Sequence, residues 1–532
     1  MKISDLLQFS ASREPGATAL VFDDRQLSYQ QLYEQVCRLA NGLRRIAEPG
    51  DRVAILSENC IEYVLAYYGV PLAGMGLVFL NYRLSAREVA DILDDSRPTV
   101  LITEQAYLET SRTASAGVES IHTMVCVDGS DGGAAGTVPF ASLFEGSPTT
   151  EPDTSDESLA WLLYTSGTTG KAKGAALSHR NVTTAVCNSA ISWDSSEPGP
   201  VRSLFPWPLC HIAGYAVLVS HLQAQTLVLM RRYDPEAFLA LVQDKRITSI
   251  TGAPTMLAML LRHPAIDRYD TSSITRIGYG SAPMPAQVLR EAMQRFPSAG
   301  FQTGFGMTEL GGNVMIHSMA DHVAAAQGRT ELLESIGKPM ALSAVRIVDD
   351  DGNDVARNEV GELVVRGEQV LTHYWNRPDA TEEALRDGWL HTGDMARCDD
   401  AGYFYIVDRK KDMVLSGGEN VYSREVEEVL HQHSAVGAAA VVGQPDELWG
   451  ELVVAVVEPR AGEEPAERDI IEFCTGRLAR YKCPRRVMLV DELPRNTVGK
   501  VLKRELRAQL GAGAAPAPTP AAPSVDSGSA QS

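Results

Sequence analysis

The sequence predicts an α/β fold: a large N-terminal α/β domain with parallel-rich sheets and a small β subdomain, followed by a small C-terminal α+β domain. Three observations carry this expectation. Short apolar runs alternate with amphipathic stretches through the first part of the chain, as parallel strands joined by helices require. At 532 residues the chain exceeds what one hydrophobic core organises. Beyond residues 408–412, a new run of strands and helices forms a self-contained α+β set.

Composition narrows the function classes. With 44% apolar and 22% charged residues the chain is an ordinary globular protein, and its net charge of −20 argues against a general binder of nucleic acid or anionic membrane. The eight cysteines are scattered without a C-x-x-C pair, which indicates neither a disulfide framework nor a zinc site. The N-terminus lacks the apolar core of a signal peptide, and no run of about 18 apolar residues occurs. These features predict a cytoplasmic protein with reduced thiols and no stable membrane insertion; a homodimer is left open.

The elements follow in order. Ser28 and Gln31 make a capping box, after which Leu32, Val36, Leu39, Ala40 and Leu43 fall on one helical face. Residues 52–56 read as a strand, Ser57 as the cap of the next helix, and 76–80, 100–103 and 124–127 as further strands. Residues 128–157, rich in Gly, Ser, Thr, Pro and acids, predict a surface excursion. Residues 159–163 are a buried strand that enters the loop 164–174. After Thr165, that loop gathers Ser166, Thr168 and Thr169 with Gly167, Gly170 and Gly174, and with Lys171 and Lys173. Glycines let backbone N–H groups close on an anion, hydroxyls donate to phosphate oxygens and lysines neutralise charge. The loop holds phosphate without being a Walker A loop, because Thr165 and Ala172 stand where that motif needs Gly and Ser or Thr.

Farther on, His211 lies between a pair of prolines and Ala213-Gly214, and Asp234-Pro235 opens a helix through Phe238, Leu241 and Val242. Residues 274–283 are a strand running into the small-residue turn Gly280-Ser281-Ala282. Pro283 stands where a dinucleotide fingerprint would need its third glycine, so that reading fails. Residues 304–309 place the ring of Phe305 beside Gly306, Met307, Thr308 and Glu309. Strands at 345–348 and 361–367, split by the acidic turn 349–354, predict a hairpin of the β subdomain. In the last domain, a glycine turn at 416–419 precedes a helix at 424–430 with Val426, Val429 and Leu430 on one face. Strands at 438–442 and 452–457 and a helix near 467–480 follow. Residues 477–507 carry ten Lys or Arg against three acids; without interleaved stacking aromatics, this basic face suits small anions better than nucleic acid. Residues 511–532 have the composition of a disordered Ala/Pro/Ser tail.

In this order the stretches 164–174, 206–214, 278–283, 304–309, 388–394, 402–412 and 493–503 resemble the motifs of the adenylate-forming (AMP-binding) superfamily, over roughly residues 10–510. That superfamily includes acyl- and aryl-CoA synthetases, peptide-synthetase adenylation domains and firefly luciferase. The resemblance implies a domain at 1–407, a hinge at 408–412 pivoting on Lys411, and a lid at 413–510. It implies catalytic roles for Lys500, Glu309, Thr308 and Lys173, with Glu309 holding Mg²⁺. It places ATP and AMP against Thr165, Ser166, Gly167, Thr168, Thr169, Gly170, Lys171, Gly280, Ser281, Ala282, Phe305, Gly306, Asp394 and Arg409. Asp394 can accept from both ribose hydroxyls, and Arg409 can donate to ribose or phosphate. The acyl pocket is assigned to His211, Ile212, Thr251, Met307, Gly311 and Gly312, and the coenzyme A tunnel to Ser416, Gly417, Gly418 and Glu419. Three positions depart from the family: Ala172 and Ser423 replace its usual prolines, and Phe305 its usual tyrosine. The change at Ser423 is expected to touch backbone stiffness rather than chemistry.

The implied reaction joins a carboxylic acid to ATP, giving acyl-AMP and pyrophosphate, and coenzyme A then takes the acyl group and releases AMP. The small residues Thr251, Gly280, Gly311 and Gly312 leave room behind the carboxylate, which favours a fatty acid of medium or longer chain over a small aryl acid. No Asp near 205–211 begins a helix to meet an α-ammonium, so an amino acid is not expected. Open alternatives are an aryl-acid CoA ligase, an enzyme that loads a carrier protein, a phosphoryl-transferring NTPase, a non-catalytic binding protein and a luciferase-type oxygenase.

Overall fold

Strand alternation organises the first part of the molecule. In the strand Arg52–Leu56, Val53 and Ile55 enter one core while Ala54 and Leu56 enter another. In Thr226–Leu229, Leu227 and Leu229 join that same first core, and Val228 a third. The strands are thus buried on both faces, as parallel sheets covered by helices must be. The computed structural model describes residues 1–128, 136–147, 154–165, 172–193, 199–282, 284–417, 419–446, 449–495 and 501–512. They divide into two compact units, Met1–Val407 and a second that begins at Asp408.

The first unit contains two large sheets. A nine-stranded sheet runs in the order Lys338–Pro339, Gly312–His317, Gly300–Met307, Arg276–Tyr279, Ser249–Gly252, Arg202–Phe205, Thr226–Leu229, Thr18–Phe22, Arg25–Ser28. From Gly300–Met307 to Thr18–Phe22 every pairing is parallel. An eight-stranded sheet runs His373–Tyr374, Lys173–Ser178, Leu159–Thr165, Gly76–Leu80, Arg52–Leu56, Val100–Thr103, Thr123–Cys126, Val138–Pro139, and is parallel from Leu159–Thr165 onward. Inward residues of both sheets share one core with the helices Tyr29–Leu43, Ile61–Leu72, His179–Ser192 and Tyr215–Leu222. Ile61–Leu72 is apolar apart from Glu62, which pairs with Arg25, and is buried along almost its whole length. A five-stranded antiparallel sheet built on Ala344–Val348, Gly361–Arg366 and Trp389–Cys398 forms the β subdomain.

The second unit is a sheet covered on both faces. Val441, Val453, Ala455 and Val457 pack on the helices Ser423–Leu430 and Glu467–Thr475. Val442, Val454 and Val456 pack instead on Leu506 and Leu510 of the C-terminal helix Lys503–Ala512.

Two local expectations are corrected. Ser57 does not cap the next helix, whose N-cap is Cys60; the buried Ser57 hydroxyl donates to Glu104 (3.0 Å). The stretch 128–157 is not all surface: Val138–Pro139 extends the eight-stranded sheet and Phe140 and Leu143 are buried, because they are the apolar residues of an otherwise polar run. The capping box at Ser28, the acidic hairpin after Val348 and the Asp234 cap all form as the sequence predicts. No helix among the described residues is long and apolar enough to cross a membrane.

Candidate active site

Five of the segments singled out by sequence lie at the C-terminal ends of parallel strands: Leu159–Thr165, Arg202–Phe205, Ser249–Gly252, Arg276–Tyr279 and Gly300–Met307. That edge is where open α/β sheets bind ligands. The described ends of the loop 164–174 are paired. Leu159–Thr165 and Lys173–Ser178 are antiparallel, and Thr165 lies opposite Lys173. Residues 166–171 (Ser166, Gly167, Thr168, Thr169, Gly170, Lys171) lie outside the described residues, as do Gly418 and Lys500.

Glu309 sits in a single 3₁₀ turn, Thr308–Leu310, at the end of Gly300–Met307, and is 7% exposed. Its Oε1 accepts from the hydroxyl of Tyr374 (2.9 Å), a residue no sequence argument selected. Tyr374 belongs to the edge strand of the other sheet, where it pairs with Ala175. The Lys173 ammonium lies 5.3 Å from the Tyr374 ring centroid, within cation–π range. An acid, a phenol and a lysine from three distant segments therefore meet at one place.

The turn 280–282 begins where the strand Arg276–Tyr279 ends. Ser281 takes a left-handed backbone (φ 68°), and Ser281 and Ala282 are exposed. Beside it, Gly304 and Gly306 pair with Ile316 and Asn313 across an irregular hairpin, and Phe305 packs partly buried between them. Asp394 owes its position to a bulge. Glu362 pairs with Met395 but Val364 with His391, so the intervening residues 392–394 bow out around Gly393 (φ 70°). Asp394 lies on the buried side of that strand, 3% exposed, with its N–H on Thr392 Oγ1 (3.1 Å).

The inferred acyl side is a wall of rings. His211 stacks on Trp207 at 13° between planes, and Trp207 Nε1 donates to Thr251 Oγ1 (3.1 Å). Burial lowers the His211 pKa to about 4, which keeps the ring neutral at physiological pH. Ile212 is buried next to it, and Met307 packs against the shared core. Gly311 and Gly312 do not leave room, contrary to the sequence expectation. A Cβ on Gly312 would meet the Tyr215 ring at 2.8 Å, and one on Gly311 the Gln369 carbonyl at 3.1 Å. Neighbours already fill the space these glycines vacate.

In the second unit, Arg409 donates its N–H to the carboxylate of Asp408 (2.7 Å). That buried carboxylate also accepts the backbone N–H of Ser423 and its hydroxyl (3.0 Å). Ser423 thus does more than soften a backbone: the family's proline could not supply this N–H. Lys503 Nζ donates to Ser423 Oγ (2.6 Å) and pairs with Glu427 (2.7 Å). Arg507 donates to the Lys411 carbonyl (3.2 Å) and to the Asp412 carboxylate (2.8 Å). Burial raises the pKa of Asp408 and of Glu427; at Asp412 burial acts the same way, but Lys503 and Arg507 hold the carboxyl below its ordinary value. In the glycine turn, Ser416 is buried and Glu419 exposed, and Gly417 (φ 63°) donates to the Trp449 carbonyl (2.8 Å) under the Trp449 ring. The Arg485 guanidinium covers that ring at 3.9 Å.

Comparison with known proteins gives this geometry a family. The profile described as AMP-binding enzyme matches residues 7–375, and that of the AMP-binding enzyme C-terminal domain matches 425–500. A feruloyl-CoA synthase of Amycolatopsis sp is 38% identical over 94% of this chain and 97% of its own length. The fatty acid–[acyl-carrier-protein] ligase ScoC of Streptomyces coeruleorubidus is 34% identical over 94% of each. Among solved structures, the amide bond synthetase McbA from Marinactinospora thermotolerans superposes with a TM-score of 0.84 at 29% identity, covering 95% of this chain and 99% of that one. The chain belongs to the AMP-binding enzymes, the adenylate-forming family that includes the acyl-CoA ligases.

Proposed function

We propose that this protein is an ATP-dependent carboxylic acid:CoA ligase that makes an acyl-AMP with release of pyrophosphate, then a thioester with release of AMP. The observation that carries this reading is the buried carboxylate of Glu309, held by Tyr374, whose ring faces Lys173. A carboxylate attacking the α-phosphate brings two anions together, so the site must screen them in fixed geometry. A unit charge at ~4 Å contributes about 4 kcal/mol at an effective dielectric of ~20.

In this reading the loop 165–171, Thr308 and Lys173 hold the phosphates, Phe305 and the turn 280–282 the adenine, and Asp394 and Arg409 the ribose. Lys500 bridges acid and α-phosphate. The donor set at Glu309 fits Mg²⁺: among the described residues no group of three His, Cys, Asp or Glu could hold a metal alone, so a hard cation would share Glu309 with phosphate oxygens and water. Mg²⁺ supplies charge screening of the triphosphate. The segment 408–412, pivoting on Lys411, would then let residues 416–419 serve coenzyme A in the second step.

The acid is an apolar monocarboxylate. Thr251 already engages Trp207 and His211 is neutral, so neither meets a second charge on the acid. With Gly311 and Gly312 closed off, the stacked rings of Trp207 and His211 favour a flat, conjugated or aromatic acid. The feruloyl-CoA synthase relative agrees with that ranking. A fatty acid is the second reading, supported by the ScoC relative, which also keeps a carrier-protein acceptor in view.

A panel of benzoates, cinnamates, indole acids and fatty acids, assayed for CoA-dependent release of AMP, tests both levels. Cinnamate-type acids should turn over fastest. Strong turnover of octanoate or longer acids alone would move the assignment to fatty acids, acyl transfer only to a carrier protein would remove coenzyme A, and release of ADP would overturn the reaction class.

A further inference from the structure

The segment 368–375 is bonded on one side to the turn that carries Glu309 and on the other to the strand that carries Lys173. Toward the first, the fully buried amide of Gln369 donates to the carbonyls of Leu310 (2.8 Å) and Asn313 (3.0 Å). The Leu371 N–H donates to the Glu309 carbonyl (2.8 Å), and the Tyr374 hydroxyl to the Glu309 carboxylate (2.9 Å). Toward the second, His373 and Tyr374 pair with Ala176 and Ala175, and the Trp375 N–H donates to the Gly174 carbonyl (2.7 Å). Gln369 in turn accepts from Asn188 (2.6 Å) in the helix that follows the Lys173 strand.

These bonds have a directional consequence. Glu309 lies in the turn that follows a strand of the nine-stranded sheet and Lys173 begins a strand of the eight-stranded one, so no single sheet sets their separation. The strap is bonded to both segments. Tyr374 also acts as a neutral donor. It fixes the carboxylate rotamer while leaving its negative charge in place, whereas a lysine or arginine there would cancel the charge a cation needs. Its ring meanwhile offers a π face to Lys173.

We propose that the strap 368–375 sets the spacing of Lys173 and Glu309, and that Tyr374 is a positioning residue for metal-bound ATP. This rests on the assignment of Glu309 as the metal-holding carboxylate. Loss of one hydrogen bond to a charged group, partly replaced by water, should weaken binding about five- to tenfold.

The test uses full-length protein, with calorimetric titration of ATP in Mg²⁺ and, separately, in EDTA. Tyr374→Phe should weaken ATP binding in Mg²⁺ by about five- to tenfold and leave binding in EDTA within about twofold, with an unchanged melting temperature. Placed in a Glu309→Gln background, it should add nothing. Equal weakening with and without Mg²⁺, unchanged binding in both, or an additive effect on Glu309→Gln would overturn the positioning role. Should Glu309→Gln itself keep the full Mg²⁺ preference, the metal assignment fails and the proposal with it. Should Glu309→Gln lose that preference while Tyr374→Phe keeps wild-type affinity, the strap alone is refuted.

Discussion

The two units position their charged groups by different balances of the same means. In the first, Glu309 is held by a phenol and a backbone amide of one strap, whose side-chain amide bonds the adjoining Leu310 carbonyl. In the second, Asp412 and Glu427 are held by Arg507 and Lys503 through charge, beside an Asp408 held by the N–H and hydroxyl of Ser423. Neutral short-range bonds fix a geometry and are indifferent to salt. Charged pairs reach farther, but their strength depends on how well both partners are shielded from water. A site that must present one unvarying carboxylate uses the first means, and the strip next to a proposed pivot uses the second.

The strongest break of this contrast would be a residue of the second unit that serves one half-reaction alone. Lys500→Ala should lower acyl-AMP formation from acid and ATP about a hundredfold or more, while thioester formation from synthetic acyl-AMP and coenzyme A stays near wild type. Lys411→Pro should do the reverse, because a fixed φ at the pivot hinders rotation. Rapid-quench assays of each half-reaction separate the two, and equal damage to both steps by Lys500→Ala would sink the two-arrangement account.

Next in size is the first unit's own carboxylate. Glu309→Gln keeps the Tyr374 contact possible but removes the charge. Adenylation should fall roughly tenfold to a hundredfold and recover in part as Mg²⁺ is raised, measured as pyrophosphate exchange against metal concentration. Full activity at ordinary Mg²⁺ would place the metal elsewhere.

Ser423 sharpens the comparison on the other side. Ser423→Pro strips an N–H and a hydroxyl from the buried Asp408 carboxylate and should cost about 2–3 kcal/mol in urea unfolding. Ser423→Ala, which keeps the N–H, should cost about 1 kcal/mol. A neutral proline variant would show that Asp408 has other adequate partners.

The smallest effect concerns acid. His221, fully buried among Tyr29 and Tyr68, has its pKa lowered by burial to about 4. Its folded value lies below the unfolded value near 6.5, so the unfolded chain binds the extra proton. Stability is lost as pH falls from about 6.5 toward 4, by roughly 1–2 kcal/mol between pH 7 and 5 from this residue. Raised carboxyls at Asp408 and Glu427 act with the other sign, since their stability contribution is lost as pH rises through their folded values. His221→Gln should flatten the acid side of a melting-temperature profile; an unchanged profile would mean that His221 is already protonated or partnered in the fold.

Most of the fold was legible because its signals are local. The capping box at Ser28, Pro235 behind Asp234 and the apolar alternation in Arg52–Leu56 each act within a few residues. The site was legible where a motif is contiguous, as in 304–309. It was not legible where function is assembled across the chain: Tyr374 reaches Glu309 over 65 positions, and Ser423 reaches Asp408 over 15. Nothing near Tyr374 in sequence distinguishes it from a core tyrosine. The glycine pair misled for the same reason, since composition reports a missing side chain but not who occupies the space.

The sequence by itself determined the family, the α/β class, the strand order of events along the chain and the type of chemistry, because backbone propensity, burial period and contiguous motifs are properties of neighbours. Tertiary structure alone decided which groups face one another. It closed the space at Gly311 and Gly312 with Gln369 and Tyr215, turned Ser423 into a ligand of Asp408, and set Tyr374 between Lys173 and Glu309. The pairings in the first unit depend on how two sheets are packed and strapped together, and hydrogen bonds fall away within fractions of an ångström. No local pattern encodes a distance between separate sheets.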